Sequence, residues 1–373
     1  MGSFSFAHSA AGQWQEAAEH CLAALGTPPP GASLGFLYAT DELAPHLDAL
    51  LERVRERTGV PHWVGTVGVG ICAGSQEYYE QPALALMVTD LPGDSFRVFP
   101  PLREGIEELD DGLDAWRQAS GSHVALVHGD PRNPAVPDLI EALAGRAAGG
   151  FLVGGLSSSR AHYAQIADGV VDGGLSGVMF ARDVAVLTGL TQGCTLIGSK
   201  HVVTRCQRNV AVELDGRPAL EVFYEEIGEV LARDLNRIAG YIFVALPVPG
   251  SDTGDYLVRN LVGIDPAKGL LAVGDMLHTD DTLQFCRRDG ASAHTDLVRM
   301  LRDLKRRAPD RAPRGGVYFS CLGRGRSMFG ADSAELRTIQ RELGEFPLVG
   351  FFANGEISHD RLYGYTGVLV LFA

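Results

Sequence analysis

The chain has 373 residues, more than one ordinary domain needs, so two or three structural units are expected. Its 32 basic and 46 acidic residues give a net charge of −14, which argues against a nucleic-acid binder and against docking on an anionic membrane. The longest apolar runs have the length of a strand, and the N-terminus lacks the basic and apolar regions of a secretory signal, so a cytoplasmic protein is predicted.

A unit of strand, loop, amphipathic helix and Val-Gly pair occurs three times. Leu336, Ile339 and Leu343 show the helical spacing in the last copy. Strands followed by helices, repeated along the chain, predict a mixed, layered α/β fold with three repeated strand-loop-helix-strand units. The copies span residues 33–65, 123–154 and 317–350, and their closing strands span 83–88, 175–180 and 367–372.

Further elements are predicted outside these copies, and residues 1–32 are predicted as an N-terminal helical segment. A break near residues 210–218 separates two unequal halves of the chain. The additional strands are expected at 184–190, 209–216, 269–277 and 282–290, and the additional helices at 218–240 and 293–309.

The Gly-Arg loop, residues 321–326, carries the strongest candidate for ligand contact. It leads from a strand toward a helix, where free backbone N–H groups and two arginines favour an anion such as a carboxylate. The loop lacks the Lys-Ser/Thr of a Walker A motif, and Met328 stands where a dinucleotide fingerprint needs glycine. Ligand contact by Gly323, Arg324 and Arg326 and a purely structural turn are the two interpretations.

Residues after the other strands extend this candidate site. Cys321 is interpreted either as a thiol activated by the arginines or as a buried structural cysteine. Glu356, beside the turn residue Asn354, is interpreted either as a pocket carboxylate or as a structural ion-pair partner. We expect the three loops to converge on one ligand site, since strand ends of α/β sheets collect ligands. The other copies contribute Ser157, Arg160 and Cys72.

Two long segments resemble the FIST family: GCTLIGSKHVVTRCQRNVAVELDGRPALEVFYEEIG (193–228) and FSCLGRGRSMFG followed by FPLVGFFANGEISHDRLYGYTGVLVLF (319–372). Its C-x-G-R strand end and GFF-x-x-GEI element are the specific features. VGTVGVGIC (64–72) and VGGLSSSR (153–160) resemble its N-terminal half more weakly. The resemblance implies a FIST-N domain over 33–216 and a FIST-C domain over 217–373.

The resemblance also implies a cytoplasmic sensory protein, not an enzyme, that binds a small ligand such as an amino acid or another carboxylate-bearing metabolite. No kinase, cyclase or F-box segment is apparent, so a separate signalling protein is the expected partner. The alternatives are a haem-binding nitric-oxide sensor, a protein-recruiting scaffold and a cysteine-dependent enzyme.

Haem and metal sites are weighed through the histidines and are not favoured. An axial haem ligand is a histidine beside an apolar pocket, and nothing in the sequence distinguishes one of the candidates. A metal site built from His278, Asp280 and Asp281 is the alternative to a solvated turn. The histidines near strand ends or loops are His62, His128, His162, His201 and His278.

Overall fold

Each of the three repeated units supplies four strands to one six-stranded sheet. The computed structural model describes residues 3–146, 151–228, 240–248, 256–309 and 311–373. They fall into two units, the first comprising residues 1–192 and 294–373 and the second residues 193–293. The structural units therefore divide the chain at other places than the predicted segments 33–216 and 217–373. All three copies lie in the first unit, and the second unit is an insertion in the third copy.

Every copy follows the same order of strand, helix, strand, helix, strand, hairpin and closing strand. The first copy contains β1 (Phe4–Ala10), α1 (Trp14–Leu25), β2 (Leu34–Thr40), α2 (Leu47–Thr58), β3 (His62–Gly68), β4 (Gly70–Ala73), β5 (Gln76–Tyr79) and β6 (Ala83–Thr89). The second contains β7 (Phe96–Leu102), α3 (Asp111–Ser120), β8 (Val124–Gly129), α4 (Val136–Arg146), β9 (Phe151–Leu156), β10 (Gln165–Ala167), β11 (Val170–Val171) and β12 (Leu175–Phe180).

The third copy begins with β13 (Val186–Gln192) and resumes after the insertion. The insertion contains β14 (Cys194–Gln207), β15 (Val210–Leu214), β16 (Arg217–Pro218), α5 (Ala219–Ile227), β17 (Ile242–Pro247), β18 (Tyr256–Asp265), β19 (Leu270–Val273) and β20 (Thr282–Arg288). The third copy continues with α6 (Gly290–Arg307), β21 (Gly315–Cys321), α7 (Arg326–Phe329), α8 (Ala334–Leu343), β22 (Leu348–Ala353), β23 (Glu356–His359), β24 (Arg361–Tyr363) and β25 (Thr366–Phe372).

The Val-Gly pair of each copy lies where two parallel strands approach most closely. A Cβ atom on Gly65 would lie 1.8 Å from a carbonyl oxygen of the neighbouring strand, so no other residue fits there. The same distance is 1.9 Å at Gly154 and 1.8 Å at Gly350. These glycines fix equivalent registers in the three parallel pairs, β2–β3, β8–β9 and β21–β22, by facing Leu37, Val127 and Tyr318.

The three sheets exchange their hairpins in a closed cycle. The first copy's β4 pairs with β22 of the third copy, and the third copy's β23 pairs with β9 of the second. The second copy's β10 pairs with β3 of the first copy, which completes the cycle. Each six-stranded sheet therefore consists of four strands from one copy and the two hairpin strands of another copy.

The inner faces of the three sheets enclose one common core. Alternation along the strands puts Phe36 and Tyr38 into this core and Leu37 into a separate layer against α1 and α2. Tyr38, His128 and Phe319 hold equivalent positions and touch, with ring centroids 5.6 Å apart for Tyr38–His128 and 6.1 Å for His128–Phe319. Outer helices cover the other sheets in the same way.

The inserted unit is an antiparallel barrel. Its strands follow the order β14, β20, β17, β18, β19, β15, and β15 pairs back with β14. Phe223 on α5 and Phe285 on β20 are fully buried in its core, with ring centroids 5.0 Å apart.

The predicted α/β class and the three repeated units are confirmed. The N-terminal 32 residues hold a strand, β1, as well as the expected helix, because β1 pairs along its whole length with the closing strand β6. The long helix predicted over 218–240 is described only in part: α5 covers Ala219–Ile227, and residues 229–239 lie outside the described residues.

Candidate functional site

One equivalent position at the strand ends carries a polar side chain in every copy. In each copy this position lies three residues after the residue that faces the glycine of the Val-Gly pair. The three side chains are Thr40, Asp130 and Cys321. Thr40 Oγ1 accepts a hydrogen bond from the N–H of Ala83 at 2.9 Å. Asp130 Oδ2 accepts one from the N–H of Gly173 at 3.2 Å. In both copies this side chain fastens the strand end to the segment that leads into the closing strand.

Cys321 occupies the third such position. Burial and the nearby Glu356 raise the pKa of the Cys321 thiol, and backbone hydrogen bonds from Gly323 and Tyr365 offset only part of that effect. Since Tyr365 precedes the closing strand β25, Cys321 repeats the contact made by its two counterparts. Only a thiolate is a good nucleophile, so this environment favours the structural interpretation of Cys321 over the reactive one.

Arg324 folds back from the Gly-Arg loop onto Glu335 in the first turn of α8. Its Nε donates to Glu335 Oε1 at 2.8 Å, its Nη2 lies 2.7 Å from the same oxygen, and both side chains are fully buried. The carboxylate of Glu335 therefore neutralises the charge of Arg324 inside the protein. Glu335 also accepts hydrogen bonds from Tyr318 Oη at 2.7 Å, Ser320 Oγ at 2.9 Å and the N–H of Gly325 at 3.0 Å.

The remaining faces of the Arg324 guanidinium are covered as well. The group stacks over the ring of Phe329 at 5.0 Å, and Arg324 is only 1% exposed. Its Nη1 is buried and has no hydrogen-bond partner among the residues that the structure describes. A ligand therefore reaches Arg324 only after the loop opens.

Arg326 differs from Arg324 in being exposed. Its guanidinium lies 4.6 Å from the ring centroid of Tyr79, at the end of the exchanged hairpin β4–β5, and 3.0 Å from Glu80, the next residue. Gly325 has a φ of +50°, and a Cβ there would lie 2.0 Å from Tyr79 Oη, so this close approach requires glycine. Cys72, on the same hairpin, is buried, and burial raises the pKa of its thiol.

Glu356 is a fully buried carboxyl group. In the sheet it lies opposite Gly155, and its Oε2 accepts hydrogen bonds from Thr366 N–H at 3.1 Å and Thr366 Oγ1 at 2.7 Å. Its Oε1 has no partner among the described residues. Burial raises the pKa of Glu356 from 4.5 to about 8, so the group is mostly protonated at neutral pH.

The second copy has a neutral amide at the position of Glu356. Gln165 lies at the same place on its exchanged hairpin, and its side chain bonds to the same part of the closing strand. Its Oε1 accepts from Ser176 Oγ at 2.6 Å, and its Nε2 donates to the carbonyl of Gly174 at 3.0 Å. The protonated Glu356 is thus the counterpart of a structural glutamine.

The other predicted residues have partners of their own. The backbone N–H of Asn354 donates to a carbonyl at the end of β9 at 3.0 Å. Ser157 Oγ lies 2.6 Å from Thr66 Oγ1. Arg160 binds Asp41 through Nε at 3.0 Å and Nη2 at 2.6 Å, which joins the first and second copies.

The structure thus brings the predicted residues together in part. The half-buried Cys321 and Gly323 and the buried Arg324 and Glu356 form one cluster around the start of the Gly-Arg loop. Arg326 and Arg160 instead make ion pairs at the surface. Ligand contact by these residues stays a prediction.

An open cavity of about 370 Å³ lies at another strand end, and none of the predicted ligand-contact residues lines it. Arg132, two residues beyond the strand-end Asp130, projects into it and is half-exposed. The sequence signal for Arg132 is the polar stretch DPRN (130–133) directly after β8, in the same position as the Gly-Arg loop. The cavity is lined by Ala44, Pro45, Arg132, His162, Tyr163, Ala164, Val170, Val171 and Asp172.

Arg132 is held in place from two sides. Its Nε and Nη2 donate to the buried carboxylate of Asp130 at 3.0 and 2.6 Å. Its guanidinium stacks on the ring of Tyr163 at 4.9 Å. The bonds to Asp130 and the charge of Asp172 raise the pKa of Arg132. A fixed cation, an aromatic face and a second carboxylate therefore share one cavity.

The histidines weighed as haem or metal ligands have other contacts. Burial lowers the pKa of His128 to about 3, and its Nε2 lies 3.0 Å from Tyr38 Oη. No group of three or more His, Cys, Asp or Glu suited to a metal occurs in the described part of the chain, which includes His278, Asp280 and Asp281. The other contacts are His62 with Asp168, His201 with Asp215 and Glu226, His278 with Asp281, and His162 in the cavity wall.

Comparison with known proteins identifies the family. The model of the FIST N domain matches residues 33–217, and that of the FIST C domain matches residues 219–359. The chain belongs to the FIST family. FIST domains are associated with sensory signal transduction. In this FIST protein the N-domain match ends inside the inserted barrel, and the C-domain match runs from the barrel into the third copy.

Two mycobacterial relatives match nearly the whole chain. The uncharacterized protein MT0656 of Mycobacterium tuberculosis is 34% identical over 376 residues, which cover 96% of this chain and 95% of the relative. The uncharacterized protein Mb0898c of Mycobacterium bovis is 32% identical over 356 residues, which cover 91% and 89%. Among the helices of the described residues, none is both long and apolar enough to cross a membrane.

Proposed function

We propose that this FIST protein is a cytoplasmic sensor that binds a small carboxylate-bearing ligand, such as an amino acid, and signals to a separate protein. The observation that carries the ligand class is the cavity around Arg132, where an exposed guanidinium is fixed by Asp130 and Tyr163. A pre-positioned arginine loses little side-chain entropy when it binds a carboxylate, which favours affinity for a small ligand.

The cavity matches both charges of an amino acid. The planar guanidinium of Arg132 presents N–H groups to the α-carboxylate, and Asp172 supplies an acceptor for the ammonium group. Ala44, Pro45 and Val170 provide apolar surface for a side chain. A volume of about 370 Å³ lies in the range of small-molecule sites and suits a ligand of amino-acid size.

Binding here is also less costly than binding at the predicted Gly-Arg loop. Arg324 is buried and already paired with Glu335, so a ligand there has to break a buried ion pair. Arg132 keeps its pair with Asp130 and still has N–H groups facing the cavity. The proposal therefore assigns ligand contact to Arg132 and a supporting structural role to Arg324.

The test is isothermal titration calorimetry with the natural amino acids and short dicarboxylic acids as probes. We expect at least one probe to bind, and Arg132→Gln to weaken it by about tenfold or more, because charge-assisted hydrogen bonds contribute roughly 1.5–3 kcal/mol. The matched control is Arg205→Gln, which also removes an exposed arginine paired with a carboxylate, Glu213 at 2.7 Å.

A second variant separates the two candidate sites. Arg160→Gln removes a predicted ligand contact of the converging loops without changing a residue that lines the Arg132 cavity. Binding that survives Arg132→Gln and is lost in Arg160→Gln overturns the assignment to the cavity. Binding of no probe by the wild-type protein overturns the proposed ligand class.

A further inference from the structure

A basic surface interrupts an otherwise acidic protein. Residues 294–314 carry seven basic and three acidic side chains, whereas the whole chain has a net charge of −14. The rest of the chain is therefore even more acidic, and this segment is a local basic region. Most of it belongs to α6.

Three of the seven basic side chains, Arg299, Arg302 and Arg306, line one groove between α6 and α8. Arg302 and Arg306 follow one another at a spacing of four residues, so they point to the same side of α6. Arg341 and Glu342 of α8 form the opposite wall, and the groove has a volume of about 760 Å³. The lining consists of His294, Thr295, Val298, Arg299, Arg302, Arg306, Arg341 and Glu342.

The ion pairs of these arginines are exposed and restrain their side chains only weakly. Arg302 is 69% exposed and lies 3.3 Å from Glu342, and Arg306 is 78% exposed and lies 2.8 Å from Asp303. Exposed pairs of this kind contribute roughly 0–1 kcal/mol, so an incoming carboxylate competes with them at little cost. The groove therefore offers several arginines to an external anionic group.

We infer that the groove between α6 and α8 docks an acidic segment of the signalling partner. The inference rests on the proposed function, because a sensor that signals to a separate protein needs a surface for that partner. Charge complementarity decides the occupant: a row of arginines in a groove fits a peptide with carboxylates along its length. Arg302 and Arg306 already pair with carboxylates, Glu342 and Asp303, which favours an occupant that carries carboxylates.

The test measures fluorescence anisotropy of a fluorescein-labelled deca-glutamate peptide on the whole protein. We expect binding with a Kd below ~100 µM at low salt, weaker binding as salt rises, and a loss of about tenfold or more in R302E/R306E. The matched control is R53E/R57E on α2. It reverses two exposed arginines at the same spacing that also pair with a carboxylate, Glu19.

Three results would overturn the inference. They are failure of the peptide to bind the wild-type protein, equal loss in both double variants, and a short DNA duplex that binds the groove more tightly than the peptide. A dimer that dissociates in R302E/R306E, seen by analytical ultracentrifugation, would make a second copy the occupant. Arg302→Gln and Arg306→Gln repeat the test if charge reversal prevents folding. Ligand binding at Arg132, titrated in the same variants, distinguishes a failed docking surface from a failed sensor.

Discussion

Replacing Arg324 by methionine is expected to destabilise the first unit strongly. The substitution keeps an unbranched chain of similar length but leaves the buried Glu335 carboxylate without its cation. Breaking a buried ion pair from one side costs about 3–5 kcal/mol. Glu335 keeps three donors, from Tyr318, Ser320 and Gly325, so we expect a value near the lower end of this range. A domain has only about 5–15 kcal/mol of stability, so the loss is large.

The assay is urea unfolding followed by tryptophan fluorescence. All three tryptophans, Trp14, Trp63 and Trp116, lie in the first unit, so the signal reports that unit and not the inserted barrel. The double variant R324M/E335Q removes both charges; its amide oxygen still accepts from Ser320 and Gly325, and its NH2 group donates to the hydroxyl oxygen of Tyr318. We expect it to recover about 2 kcal/mol of the loss, since no buried charge is left unpaired.

The result that refutes this reasoning is a urea midpoint of Arg324→Met equal to that of the wild type. Arg324 would then contribute nothing to stability, and ligand contact would become the better interpretation of its burial. Equal losses in R324M and R324M/E335Q would show that the two side chains are not coupled. Near-ultraviolet circular dichroism confirms that each variant retains its packing.

Three other predictions address the repeated positions. Glu356→Gln is expected to raise the urea midpoint at pH 8 and to change it little at pH 5. The reason is that a buried acid with a folded pKa of about 8 loses folding stability as the pH rises from about 4.5 to 8. A difference between variant and wild type that does not depend on pH contradicts the protonated state of Glu356. Gly65→Ala is expected to prevent folding or to cost several kcal/mol, and Gly145→Ala, with open space around it, to cost nothing, as judged by thermal melts. Cys321 is expected to react with iodoacetamide at least tenfold more slowly than free glutathione at pH 7.5, by peptide mass spectrometry, because burial raises the pKa of its thiol; faster labelling would support the enzyme alternative.

The repeated units were predictable because their signals are local. Helical spacing and the Val-Gly pair both lie within each copy, and the glycine is required by contacts with the adjacent strand. The exchange of hairpins was not predictable. The sequence of β4 indicates a buried strand, but it does not indicate that the partner of this strand is β22 in another copy.

The candidate site was predicted less well for a similar reason. The Gly-Arg loop was recognised as charged and close to a helix, but Glu335, the partner of Arg324, is an ordinary-looking acidic residue of that helix. Sequence alone does not show that the loop folds over the helix and buries both charges. Arg132 was passed over because its cavity is formed by residues of two copies, Ala44 and Pro45 from one and Tyr163 from the other.

The cycle of exchanged hairpins has a consequence for folding. The hairpin that contains Cys72 is made early in synthesis, yet its pairing partner around Gly350 is among the last parts of the chain to be made. Its strand edges stay unpaired meanwhile and are exposed to association with other chains. Such high contact order predicts slow folding, and any fragment with two copies leaves one sheet incomplete. The three copies, although repeated in sequence, therefore gain their stability only together.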